Sequence, residues 1–165
     1  MPKIIVIGPE SSGKTTLCKA ISSYFKISFS KEYAREYLYK IDRGYTKEDL
    51  IKIGKKQLKS EQNVRILDTD LITIKIWSKY KYDNCNQWIL EQIEKQKSEK
   101  RFYLLCKPDI AWEDDPLREN PANRMKLFEL YKKELENLGC NYNIIEGGNR
   151  TVKAISKILD KKLFI

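Results

Sequence analysis

With 165 residues and 41% hydrophobic content, the chain can bury one ordinary core, so a single domain over residues 1–165 is expected. No run approaches the ~20 apolar residues of a membrane-spanning helix, and the N-terminus opens directly on a strand and a glycine-bearing loop, so neither a membrane partner nor a secretory signal is expected and the chain is assigned to the cytoplasm. The net charge of +9 is spread over several segments, including Lys52, Lys55, Lys56 and Lys59, then Lys95, Lys97 and Lys100, then Lys161 and Lys162. Scattered runs of this kind read as solvated helix faces, so nucleic acid is not the expected partner.

Histidine is absent, which leaves acid–base work to carboxylates and metal binding to oxygen ligands, a set that suits Mg²⁺. Cys18, Cys85, Cys106 and Cys140 form no C-x-x-C pair. Neither a zinc site nor a disulfide framework is expected.

The first element is the apolar strand Lys3–Ile7. It runs straight into Gly8-Pro9-Glu10-Ser11-Ser12-Gly13-Lys14-Thr15, the G-x-x-x-x-G-K-[ST] pattern of a phosphate-binding loop. Glycines at both ends let backbone N–H groups face phosphate oxygens, Lys14 brings a charge to the β- and γ-phosphates, and the Thr15 hydroxyl can ligate Mg²⁺. A helix beginning near Lys14 aims its positive end at the same anion. The expected ATP contacts are Gly8, Glu10, Ser11, Ser12, Gly13, Lys14, Thr15 and Thr16.

A second strand is expected at Ile27–Phe29, followed by Glu32-Tyr33-Ala34-Arg35 at the carboxyl edge of the sheet, where open α/β folds bind ligands. Thr46-Lys47-Glu48-Asp49 reads as a helix start. A third strand, Val64–Leu67, ends in Asp68, which beside a phosphate loop falls near the Mg²⁺; Asp70 is either a second functional carboxylate or the cap of the apolar helix that follows. The fourth strand is Phe102–Cys106. Residues 109–123 then break the pattern with charge and two prolines, so this segment is a candidate lid. Its Arg118, with Arg124 just beyond, would stabilise charge on the γ-phosphate. Trp112, among acidic residues, reads either as a stacking platform or as a plug for the lid.

Asn120-Pro121 reads as a further helix start, with Leu127, Tyr131, Leu135 and Leu138 at helical spacing. A strand at Tyr142–Ile145 and a final helix complete the chain. The alternation predicts a P-loop three-layer α/β sandwich with a five-stranded parallel sheet, kinase-like, with a lid loop.

These motifs together resemble the ribosylnicotinamide kinase domain of the NadR type, among the AAA-like P-loop kinases. The resemblance rests on G-x-E-S-S-G-K-T at Gly8–Thr15, E-Y-x-R at Glu32–Arg35, D-T-D at Asp68–Asp70, and W-x-x-D-x-x-R at Trp112, Asp115 and Arg118. Arg124 follows these, as does an arginine near the start of the last helix, Arg150. Ala111 stands where the family often has proline, and no adenylyltransferase or DNA-binding region is expected before Met1.

The resemblance implies transfer of the ATP γ-phosphoryl group to the 5′-hydroxyl of nicotinamide riboside, giving nicotinamide mononucleotide. It implies catalysis by Lys14, Asp68, Arg118 and Arg124, Mg²⁺ on Thr15 and Asp68, and Arg150 on ATP. Ribose would be held by Glu32, Tyr33, Arg35 and Asp70, with Trp112 and Asp115 at the nicotinamide ring, and Asp68 or Glu32 would orient the attacking hydroxyl. Two alternatives stand beside it: another nucleoside or nucleotide kinase, and a nucleotide-dependent switch or nucleic-acid-associated ATPase. The sequence specifies no oligomeric state.

Overall fold

Ile4, Ile5, Val6 and Ile7 have no solvent exposure. Four consecutive apolar residues buried on both faces are the mark of a central strand in a parallel sheet covered on each side. The structure, a computed structural model, describes residues 1–164 and bears this out. The elements run β1 (Lys3–Ile7), α1 (Lys14–Phe25), β2 (Phe29–Ser30), α2 (Tyr33–Ile41), α3 (Lys47–Ser60), β3 (Ile66–Asp68), α4 (Leu71–Tyr82), α5 (Gln87–Gln96), β4 (Arg101–Cys106), α6 (Arg124–Asn137), β5 (Asn141–Ile145) and α7 (Arg150–Asp160). The five strands lie in the order β2-β3-β1-β4-β5, and every pairing is parallel.

Alternation along the strands sends side chains to two cores. Ile5, Ile7, Leu67, Tyr103 and Leu105 meet Leu50, Ile53, Leu71, Ile89 and Tyr131 of the α2–α6 layer. Ile4, Val6, Ile66, Phe102 and Leu104 meet Leu17, Cys18 and Ile21 of α1 and Ala154 and Ile158 of α7. The three-layer P-loop architecture expected from the sequence is therefore the one observed.

Boundaries differ where a helix end competes for the chain. Ile27 was expected in the second strand, but its N–H donates to the Ser22 carbonyl and its own carbonyl accepts from the Ser22 hydroxyl, closing α1 behind the left-handed Lys26. Pairing starts only at Phe29. Val64 likewise closes a turn onto Glu61, so β3 begins at Ile66 and takes in Asp68. The helix expected from Asn120-Pro121 starts at Arg124, because Asn120 accepts a hydrogen bond from Asn123 in a turn before the helix.

The sheet face under α4 holds a buried ionic cluster. Arg101 donates to Glu61 at 3.1 Å and to Asp70 at 3.0 Å, and the Tyr103 hydroxyl donates to the same Asp70 oxygen at 2.9 Å. Gln96 of α5 donates to the same Glu61 oxygen at 3.2 Å.

The expected start at Thr46 is a complete capping box. The Thr46 side chain accepts from the Asp49 N–H, and Asp49 accepts from the Thr46 N–H. Asp49 also takes Arg43 at 2.7 Å and Tyr37 at 2.7 Å, and the guanidinium beside it holds its carboxyl well below the usual carboxylate range. Its contribution to stability is complete above the unfolded value of about 3.9 and is lost as pH falls through the lower folded value. Asp49→Ala should therefore cost about 1–2 kcal/mol at neutral pH, read by denaturant unfolding, and the gap to the unmodified protein should close as pH drops below about 4.

Candidate active site

Gly8 leaves β1 at φ +151°, and a Cβ there would sit 2.6 Å from the Cys106 carbonyl oxygen. Only glycine lets the chain turn this tightly over the end of β4. Gly13, left-handed at φ 82°, delivers the chain into α1, which has no side-chain cap and no acidic residue in its first turn. Its free N–H groups and positive dipole end are thus open to an anion. The Ser12 hydroxyl and the Lys14 ammonium both donate to the Pro9 carbonyl, at 2.7 Å and 2.9 Å, and hold the loop in its curl.

Asp68 lies across from Val6 in the β1–β3 register. Its Oδ2 accepts the Thr15 hydroxyl at 2.6 Å, while its Oδ1 is buried without a hydrogen-bond partner. Burial pushes the Asp68 carboxyl up, against the pull of Lys14 and the Thr15 hydrogen bond. An orphaned carboxylate oxygen beside a threonine hydroxyl is the donor pair a hard cation takes. No group of three or more carboxylate, cysteine or histidine side chains is arranged to hold a metal ion by itself among the described residues. Mg²⁺ fits such a place, since it keeps several waters and substrate phosphate oxygens in its shell.

The loop faces a cavity of about 180 Å³ lined on its polar side by Lys14, Thr15, Thr16, Glu32, Arg35 and Arg118. Burial pushes Glu32 up to about 7, with Lys14 opposing and Asp68 assisting. The cavity's apolar lining is Leu38, Trp77, Ile110 and Leu117, with Ile110 against Gly13 of the loop. Glu10, Leu38, Trp77 and Leu117 also line a second cavity of about 160 Å³ with Tyr45 and Tyr80, so the two share these four residues.

Segment 109–123 folds over the loop. Arg118 lines the cavity and donates to the Glu113 carbonyl, and Arg35 is paired with Asp115. Arg124 donates to the Ser11 carbonyl at 3.0 Å. Arg150 donates to the Ser12 carbonyl at 3.0 Å and the Lys107 carbonyl at 2.9 Å, and pairs with Asp109. These two arginines brace the main chain of the phosphate loop.

Of the residues expected at the substrate, Glu32 and Arg35 line this cavity, Asp115 is held by Arg35, and Asp70, Tyr33 and Trp112 are engaged with other partners. Asp70 is fully buried: Oδ1 caps the Ile72 N–H at 3.0 Å and Oδ2 belongs to Arg101 and Tyr103, so the cap alternative is the one realised. Tyr33 turns toward Tyr37 and the α3 side chain Lys56. Trp112 is not on the cavity wall; its indole N–H donates to Asp114 at 2.7 Å and its ring lies beneath Arg118 and Arg124.

The aromatic on the wall is Trp77, hidden in the sequence within an apolar helix that reads as core. Leu38 carried a usable signal, since it stands three residues after Arg35 on α2 and shares its face.

The Escherichia coli (strain K12) "trifunctional NAD biosynthesis/regulator protein NadR" is 28% identical over 148 residues, covering 82% of this chain and 34% of that protein. Its Salmonella typhimurium counterpart is 29% identical over 128 residues, covering 70% and 30%. The chain thus spans about a third of the length of these curated relatives. Among solved structures, NadR in complex with NR superposes with a TM-score of 0.76 at 23% identity, over 96% of this chain and 51% of that one. Deoxyadenosine kinase from M. mycoides with bound dCTP gives 0.65 at 15% identity, over 96% and 99%. Both likenesses confirm the fold. No helix among the described residues is long and apolar enough to cross a membrane. Residues 3–151 match the model of the AAA domain family, and the chain belongs to that family.

Proposed function

We propose that this protein is an ATP-dependent small-molecule kinase that phosphorylates the 5′-hydroxyl of nicotinamide riboside to give nicotinamide mononucleotide. The observation that carries the reading is a cavity lined by the phosphate loop and the Glu32 carboxylate and also by an indole and two leucines. A nucleoside likewise offers a polar sugar and a flat ring. The similarity to NadR, a protein of NAD biosynthesis, and to its NR complex supports the choice of riboside.

Phosphoryl transfer needs positioning and charge neutralisation more than covalent chemistry. The loop amides at the start of α1 hold the phosphates, and Lys14 exchanges the Pro9 carbonyl for β- and γ-phosphate oxygens. Thr15 and Asp68 would hold Mg²⁺, which when bound neutralises charge building on the phosphates. Arg118, released from the Glu113 carbonyl, reaches toward the γ-phosphate from the lid. Arg35 and Asp115 close the ribose side.

Glu32 is the better base of the two carboxylates, because Asp68 is committed to Thr15 whereas Glu32 lies on the cavity wall. It accepts the proton of the attacking hydroxyl. An indole suits a cationic pyridinium ring, and Trp77 is favoured over Trp112 for this contact because it lines the cavity.

Three measurements test this. Lys14→Ala should abolish phosphate transfer while leaving the melting temperature unchanged, since Lys14 is bonded only to a loop carbonyl. Trp77→Ala should raise KM for the riboside about 5- to 30-fold, the equivalent of roughly 1–2 kcal/mol of ring stacking. Trp77→Phe should lose less, Trp112→Ala should leave that KM nearly unchanged, and the KM for ATP should hold in all three. Because Glu32 acts ionised, kcat/KM should fall about tenfold per unit below pH 7, and Glu32→Gln should remove both the activity and that limb. Absence of riboside phosphorylation by the unmodified protein, with another nucleoside accepted, would move the substrate and keep the kinase.

A further inference from the structure

Two residues of the phosphate loop that the nucleotide motif leaves unspecified are committed to the lid. The Glu10 carboxylate accepts from the main-chain N–H of Glu119 at 3.1 Å and of Asn120 at 3.0 Å, and from the Asn120 side-chain amide at 3.4 Å. The Ser11 hydroxyl accepts from the Glu113 N–H at 3.0 Å. The lid is thus tied to the loop on both sides of Arg118, the lid cation that lines the cavity. Glu119 is further paired with Lys81 of α4 at 3.6 Å.

From this geometry we propose that Glu10 is a positioning residue that latches the lid over the phosphate loop, and that it is not a nucleotide ligand. The chemistry favours the assignment. A carboxylate turned toward a triphosphate adds like charge to an anion site, whereas a carboxylate turned to two amide N–H groups makes charge-assisted hydrogen bonds. Both Glu10 oxygens are engaged in this way. The donors are main-chain groups, so the latch fixes the path of the lid backbone and, through it, the arc that Arg118 can reach. Lid placement and phosphate placement then share one loop.

The test has one arm that does not depend on what the enzyme phosphorylates. Amide hydrogen exchange of the unmodified protein and of Glu10→Ala, both without nucleotide, should show the amides of residues 119 and 120 exchanging about tenfold faster in the variant, the loss expected for charge-assisted hydrogen bonds near the surface. Exchange in α1 and the melting temperature should stay unchanged. Glu10→Gln keeps the volume and one acceptor oxygen and should show the same change at smaller size, which preserves the test if the alanine variant folds poorly. The affinity for a non-hydrolysable ATP analogue should stay within about threefold while kcat falls more than KM, as for a group that acts through the lid.

Unchanged exchange at residues 119 and 120 overturns the latch. So does an analogue affinity that falls more than tenfold with lid exchange unaltered, since that would make Glu10 a nucleotide contact. The kinetic arm rests on the kinase reading. Failure of that reading appears as an inactive unmodified protein and leaves the exchange result to stand by itself.

Discussion

The site depends on a missing methyl group. At Gly8 the chain must leave β1 and pass over the end of β4, where even a Cβ would sit 2.6 Å from the Cys106 carbonyl. That close passage sets the start of the loop, and the loop sets where α1 begins. From α1 follow Thr15 against Asp68 and Lys14 across the loop mouth. The two arginines that grip the loop carbonyls, Arg124 and Arg150, open α6 and α7, so elements far apart in sequence are registered on one turn of backbone.

The Asp68-Thr69-Asp70 triplet shows how strand geometry divides labour between identical side chains. Asp68 is the last residue of β3 and faces the loop. Thr69 turns the chain at φ 68°, and two residues on Asp70 points into the protein, where it caps α4 and neutralises Arg101. The first carboxylate keeps an oxygen without a partner; the second has none to spare.

Much of this was legible in the residues. Strand positions followed from apolar runs too short for helices, and the phosphate loop followed from spacing alone. Asp68 and Glu32 were readable because a parallel sheet delivers its strand ends to one edge. Trp112 and Trp77 were not readable in their observed places. In segment 109–123 no period constrains which way a side chain turns, so a tryptophan among charges reads equally as a platform or as a plug. In α4, where Trp77 follows the apolar Leu71, Ile72, Ile74 and Ile76, nothing local distinguishes the indole that reaches a cavity from its buried neighbours. Glu10 was unreadable for a related reason, since its partners lie more than a hundred residues away and are main-chain groups.

The buried cluster around Arg101 bears on how this chain can change over generations. Arg101 is nearly enclosed, and its partners Glu61 and Asp70 are more so. Removing one member strands a charge in the interior at a cost of about 3–5 kcal/mol, whereas exchanging the whole set for well-packed apolar side chains can be neutral. The members sit at the end of α3, the start of α4 and the start of β4, so the positions are locked against stepwise drift. Descendants of this sequence can keep all of them or abandon them together, and a lineage that has lost only one should carry a second change nearby that restores the charge balance.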